Sequence, residues 1–219
     1  MSRQAADVGG PSYRGLMTGT LEEEKLRIVP ANQATWADVQ AAFGERGCAH
    51  GCQCQWFKMP QKEWQSLTVA QREARQRAIT NCGDAEAATT GLVAFVDGVP
   101  AAWVAVEPRV NYVRMLTQRI PWLGRDEDRA DPGVWAISCF ATRAGYRRRG
   151  LTHELTRAAV DYAREHGATA VEGYPRVVHP GEDVSWGEIY VGAVSVFEAA
   201  GFREVTRPTE RRRVMRLDL

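Results

Sequence analysis

Apolar side chains recur along this chain with two periods, and the switches between them mark out its elements. From Gly150 onward, Leu151, Leu155, Ala158, Ala159 and Tyr162 fall on one stripe at helical spacing, and His166-Gly167 closes the helix they predict. Just upstream, residues 134–142 form a β-branched and aromatic run that predicts a buried strand, joined to the helix by Arg147-Arg148-Arg149-Gly150. Residues 26–29 predict a short first strand. Trp36, Val39 and Phe43 then mark a helix capped by Asn32 or Thr35 and ended by Gly44, and Thr68-x-x-Gln71 opens a second helix as a capping box. Residues 91–96 and 99–106 flank Asp97-Gly98, the signature of a tight hairpin.

The connection from 107 to 133 is long, with a helical piece around 110–119 and a charged tip at 125–129, a length that belongs to a functional loop or local disorder. Residues 170–175 predict another strand and 176–189 an irregular segment. Ala193, Val196, Phe197 and Ala200 predict a helix stopped by Gly201, and 203–206 and 213–219 a final pair of strands. Residues 1–24 are polar and aperiodic and read as a flexible or loosely docked arm, leaving 25–219 as a single domain.

Composition narrows the picture mainly by exclusion. A chain of 219 residues, 44% hydrophobic and 25% charged, with a net charge of +1, offers no electrostatic case for nucleic acid or an anionic membrane. It has neither a membrane-length apolar run nor a signal-like start, so a cytoplasmic location is expected. Five cysteines, an odd number, suit reduced thiols. Cys48, Cys52 and Cys54 with His50 suggest zinc, but a second, separated ligand pair is missing; the expectation is a thiol cluster packed beside Trp56-Phe57, with no metal.

The strand, Arg/Gly turn and helix carry the clearest chemistry. The turn lies at a helix N-terminus, where unpaired N–H groups and the helix dipole favour an anion; Gly150 allows close approach, and the arginines add charged donors.

Arg147-x-x-Gly150-x-Thr152 after this strand resembles the Gln/Arg-x-x-Gly-x-Gly/Ala signature of the GNAT superfamily of acyl-CoA-dependent N-acyltransferases, with Thr at the last position. Tyr190-x-x-Ala193-x-x-x-Phe197-x-x-x-Gly201-Phe202 is similar to a second family pattern, in which Asn and Tyr stand at the positions of Tyr190 and Phe197. The resemblance implies an α/β fold: a mixed, mostly antiparallel sheet with helices on both faces and two splayed central strands. It implies acetyl-CoA as acyl donor, its diphosphate held by Arg147, Arg148, Arg149, Gly150, Leu151 and Thr152. The extended arm would pair with Phe140, Ala141 and Thr142, and a backbone N–H near Phe140 would hold the oxyanion. The acceptor would be a primary amine of a small molecule or peptide, attacking directly in a ternary complex. A homodimer is compatible with this.

A lysine-like amine is only about one part in two thousand neutral at pH 7, so a base or water chain must take its proton. Glu172, on the strand beside the acyl site, is the first candidate, ahead of Glu107 and His179. Phe197 stands where the family often has an acidic tyrosine, which leaves Tyr190 or Tyr174 as the hydroxyl for the leaving thiolate. The alternative is a non-catalytic acyl-CoA-binding regulator.

Overall fold

Strand β2 (Gly91–Val96) is buried along its whole length, because helices cover both faces of the sheet it belongs to. The computed structural model describes residues 25–179, 181–185 and 187–219; the expected N-terminal arm (1–24), Pro180 and Trp186 lie outside the described residues. Among the described residues β2 joins β1 (Leu26–Pro30), β3 (Val99–Pro108), β4 (Val134–Thr142), β5 (Ala170–Gly173), β6 (Arg203–Thr209) and β7 (Arg212–Asp218) in one sheet of order β1-β2-β3-β4-β5-β7-β6. Only β4 and β5 run parallel.

The helices follow from their caps. Helix α1 (Trp36–Phe43) starts at Thr35, whose hydroxyl accepts from the Asp38 N–H while Asp38 accepts from the Thr35 N–H, so Thr35 rather than Asn32 is the cap. Two short helices, α2 (Cys48–Cys52) and α3 (Gln61–Ser66), precede α4 (Val69–Thr80), which opens with the expected Thr68–Gln71 capping box. The long connection holds one five-residue helix, α5 (Val113–Thr117). Helix α6 (Leu151–Glu165) carries the apolar stripe, and α7 (Val194–Glu198) is shorter than its pattern suggested.

Alternation along β2 and β3 divides the core. Leu92, Ala94, Ala102 and Val104 pack with Leu155 and Ala159 of α6, whereas Val93, Phe95, Trp103 and Ala105 pack with Val39 and Phe43 of α1. A register shift between β3 and β4 leaves Ser138 as an extra residue, so Ile137 and Phe140, three apart, both point to the α6 side while Cys139 and Ala141 join the α1 side. Pairing of β4 with β5 ends at Ile137–Gly173, and β4 runs on to Thr142 beside no strand on that edge. The two central strands are splayed, as the resemblance implied.

Candidate active site

The splay opens into a cavity of about 1200 Å³ that runs along β4 from Cys139 to Thr142 and on to the N-terminus of α6. At that terminus Gly150 is the N-cap with φ 78°, a left-handed conformation, and no side chain caps the helix. Arg148, two residues earlier, also has positive φ (61°), so the turn is a concave run of backbone suited to an anion. Thr142, Arg147, Arg148, Gly150, Leu151 and Thr152 line the cavity, and Arg147 is held there by donating Nε to the Thr142 carbonyl at 3.1 Å. Arg149 is absent from the lining: its guanidinium donates to the Gly145 carbonyl at 3.0 Å and lies over the Tyr146 ring. The cradle suits a diphosphate, with Arg149 bracing the turn.

Phe140 and Ala141 also line the cavity. The Phe140 N–H, expected to serve the cofactor arm or an oxyanion, already donates to the Tyr190 carbonyl at 2.6 Å. The turn carrying Tyr190 can come this close because of Gly192, where a Cβ would lie 2.9 Å from the Phe197 ring and 3.0 Å from that of Phe140. Phe197 itself is fully buried, wedged edge-on between Phe140 and Phe202, and contributes nothing to the cavity wall.

The three catalytic candidates separate. Glu172 is fully buried and lies outside the cavity lining. Its carboxylate is paired with Arg125, with Arg109 at 3.0 Å and with Arg216 at 3.1 Å, and accepts from Tyr174 Oη at 2.8 Å. Burial opposes its charge, yet the hydrogen bond and charge of Arg125, followed by Arg109, hold its carboxyl below the usual range. Such a group keeps its charge and is a poor proton acceptor. Tyr174 is drawn into the same cluster, pushed well above the ordinary phenol range by burial and by Glu172.

Tyr190 alone of the three lines the cavity, and burial pushes its hydroxyl up to about 12. Glu107 is also occupied, by Lys58 and by Asn111 at 3.0 Å, and His179 is exposed on the irregular segment.

The cysteine cluster borders this end of the cavity, a juxtaposition the local sequence did not show. Cys52, Cys54 and Cys139 all line it. A hydrogen bond in which the Cys139 thiol donates to Cys54, together with burial, holds Cys139 far above its usual range, and burial pushes Cys52 up to about 11, so both stay protonated and weakly nucleophilic. Among the described residues no group of three or more His, Cys, Asp or Glu is arranged to hold a metal.

The model of the acetyltransferase (GNAT) family matches residues 54–177, more than half of the chain, from Cys54 through β5. The protein belongs to the GNAT acetyltransferase family. The solved structures it resembles include a GNAT-family acetyltransferase from Streptococcus pneumoniae (13% identity, covering 89% of this chain and 99% of that one, TM-score 0.49). Another is a GCN5-related N-acetyltransferase from Kribbella flavida (17%, 89% and 98%, 0.48). A third is yncA from Salmonella typhimurium, a putative acetyltransferase solved with acetyl-CoA (14%, 89% and 94%, 0.47). No curated protein sequence matches the chain significantly. Acetyl-CoA is the donor cosubstrate of a GNAT acetyltransferase, and the uncapped α6 terminus with its left-handed Gly150 fits a diphosphate-bearing group. Among the described residues no helix is long and apolar enough to cross a membrane.

Proposed function

We propose that the protein acetylates a primary amine of a small molecule or peptide, the amine attacking directly in a ternary complex with acetyl-CoA. One observation carries the reading: a single cavity joins the uncapped N-terminus of α6, the open edge of β4 and Tyr190. Bound acetyl-CoA supplies an activated acetyl thioester. The first-turn N–H groups of α6, with Arg147 and Arg148, hold its diphosphate. Ala141 and Thr142, in the cavity wall, would border its extended arm. Tyr190 Oη, protonated throughout the physiological range, is the hydrogen-bond donor at the acyl end.

Glu188 is the one carboxylate among the described lining residues, and Arg176 (2.6 Å) and Ser185 Oγ (2.8 Å) occupy it. With no free carboxylate among the described lining residues, and the one lining imidazole, His153, in the first turn of α6 beside the anion cradle, the amine loses its proton to water in the cavity. Against the non-catalytic alternative, Phe197 lies in the core and Tyr190 lines the cavity.

The test is acetyl-CoA titration together with thiol release across an amine panel. Gly150→Glu puts an anion in the cradle and should weaken acetyl-CoA binding by about tenfold or more, with circular dichroism unchanged. Unchanged affinity would remove the cofactor assignment.

A further inference from the structure

Resting on that reading, we propose that Arg176, which lies outside the cavity wall, is the positioning residue that sets Tyr190 at the splay for the reaction. It acts through Tyr190 and touches no reactant. The segment from 177 to 192 is irregular, yet it supplies Gly187, Glu188, Ile189, Tyr190 and Gly192 to the wall. Within it the main-chain hydrogen bonds among the described residues are local turns, such as the Glu182 N–H to the His179 carbonyl at 3.0 Å and the Ile189 N–H to that of Ser185 at 3.3 Å. Turns fix the shape of a loop but not its place against the sheet.

Arg176 supplies that place. Its neighbours are tied to the start of β7, the Val177 N–H donating to the Arg211 carbonyl at 3.0 Å and the Arg213 N–H to the Pro175 carbonyl at 3.2 Å. From this fixed point the Arg176 N–H donates to the Gly192 carbonyl at 2.9 Å, and the Arg176 carbonyl accepts from the Val194 N–H at 3.1 Å. Its guanidinium, 8% exposed, turns back to the loop, where Nη1 donates to Glu188 Oε1 and Nη2 to Glu182 Oε1, both at 2.6 Å. Tyr190 therefore lies between two points held by one residue, Glu188 through the side chain and Gly192 through the main chain.

One guanidinium spans two carboxylates because its terminal nitrogens diverge in a rigid plane. Both acids are held ready for it: Glu188 also accepts from Ser185 Oγ at 2.8 Å, and Glu182 from the His179 N–H at 3.1 Å. The charge of Arg212 also acts on Glu188 and Tyr190, but its side chain makes no hydrogen bond among the described residues and gives the loop no directional hold. The Tyr190 carbonyl receives the Phe140 N–H at 2.6 Å, so that bond reports whether the segment is in place.

Amide hydrogen exchange at Phe140, followed by NMR on the full chain, reads the positioning without turnover. Arg176→Gln should speed Phe140 exchange by about tenfold or more, with exchange in β2 unchanged. Glu182 is exposed and lies outside the cavity lining, so Glu182→Ala keeps the test open if Arg176→Gln does not fold; it should speed Phe140 exchange by about threefold. The double variant should exchange no faster than Arg176→Gln alone, because both substitutions remove one shared interaction. Phe140 exchange unchanged in the folded single variants, or additive effects in the double variant, overturns the proposal. Thiol release from acetyl-CoA with phenethylamine, lysine and spermidine separates this inference from the transferase reading. With any of these that wild type turns over, Arg176→Gln should lower kcat about tenfold and leave KM for acetyl-CoA within about twofold. Faster exchange with kcat unchanged overturns the proposal. Faster exchange in the variants, with no release by wild type from any of the three amines, keeps Arg176 as the anchor of Tyr190 and overturns the transferase.

Discussion

Arg109, Arg125 and Arg216 converge on Glu172 in the interior, while Arg114 lies buried against Trp56 behind the cavity wall and Arg212 lines the cavity with Tyr190, and the two groups use the same residue types to opposite effect. In the first, the carboxylate and a tyrosine hydroxyl answer the guanidiniums, so the long connection carrying Arg109 and Arg125 is tied to β5 and β7. In the second, the nearby carboxylate Glu188 is held by Arg176 and Ser185, and two donors of Arg114 stay buried and unpaired. Completed charge networks hold a fold together, and arginines without a carboxylate of their own leave the potential beside them positive.

The sharpest way to break this contrast is Glu172→Gln. It leaves three guanidiniums around a neutral amide and should lower stability by about 3–5 kcal/mol, read by urea denaturation, with kcat of the folded fraction preserved. A folded variant of normal stability that had lost turnover would return Glu172 to the chemistry. Next in size is Tyr190→Phe, which should lower kcat by about a hundredfold with acetyl-CoA affinity unchanged, the scale of a lost proton donor. Its counterpart Tyr174→Phe removes one hydrogen bond to Glu172 and should cost about 1–1.5 kcal/mol of stability with kcat intact. Reversal of these two results would exchange the roles of the clusters.

Acid supplies the gentlest probe. Glu172 titrates below the usual carboxylate range in the folded protein, so its contribution is complete above the unfolded value of about 4.3 and is lost as pH falls through the lower, folded value. Urea midpoints measured from pH 6 down to pH 3 should fall in wild type and fall less in Glu172→Gln.

Local pattern carried much of the architecture. The Thr68–Gln71 box, the Asp97-Gly98 hairpin and the stripe of α6 are encoded within a few residues, and each appears where its spacing predicts. Helices α2 and α3 span five and six residues, too short for an apolar period to register. The strand, Arg/Gly turn and helix at Gly150 were legible for the same reason as α6: they are contiguous.

The acyl end was not, because long-range packing assembles it. Arg114 reaches Trp56, Cys139 meets Cys54, and the Tyr190 carbonyl meets Phe140, pairs that no local motif links. Glu172 was misplaced for a related reason. Its position beside the central strand was read correctly, but its guanidinium partners come from a loop 47 residues away and from the C-terminal strand.

Tyr190 engages the site twice, its carbonyl closing the edge of β4 at Phe140 and the residue itself lining the cavity. Cofactor entry and acceptor choice are thus mechanically geared: any insertion or deletion in the turn before Gly192 shifts both at once. Change at the other end of the cavity is open instead to the α2–α3 wall, which can vary without disturbing the edge of β4.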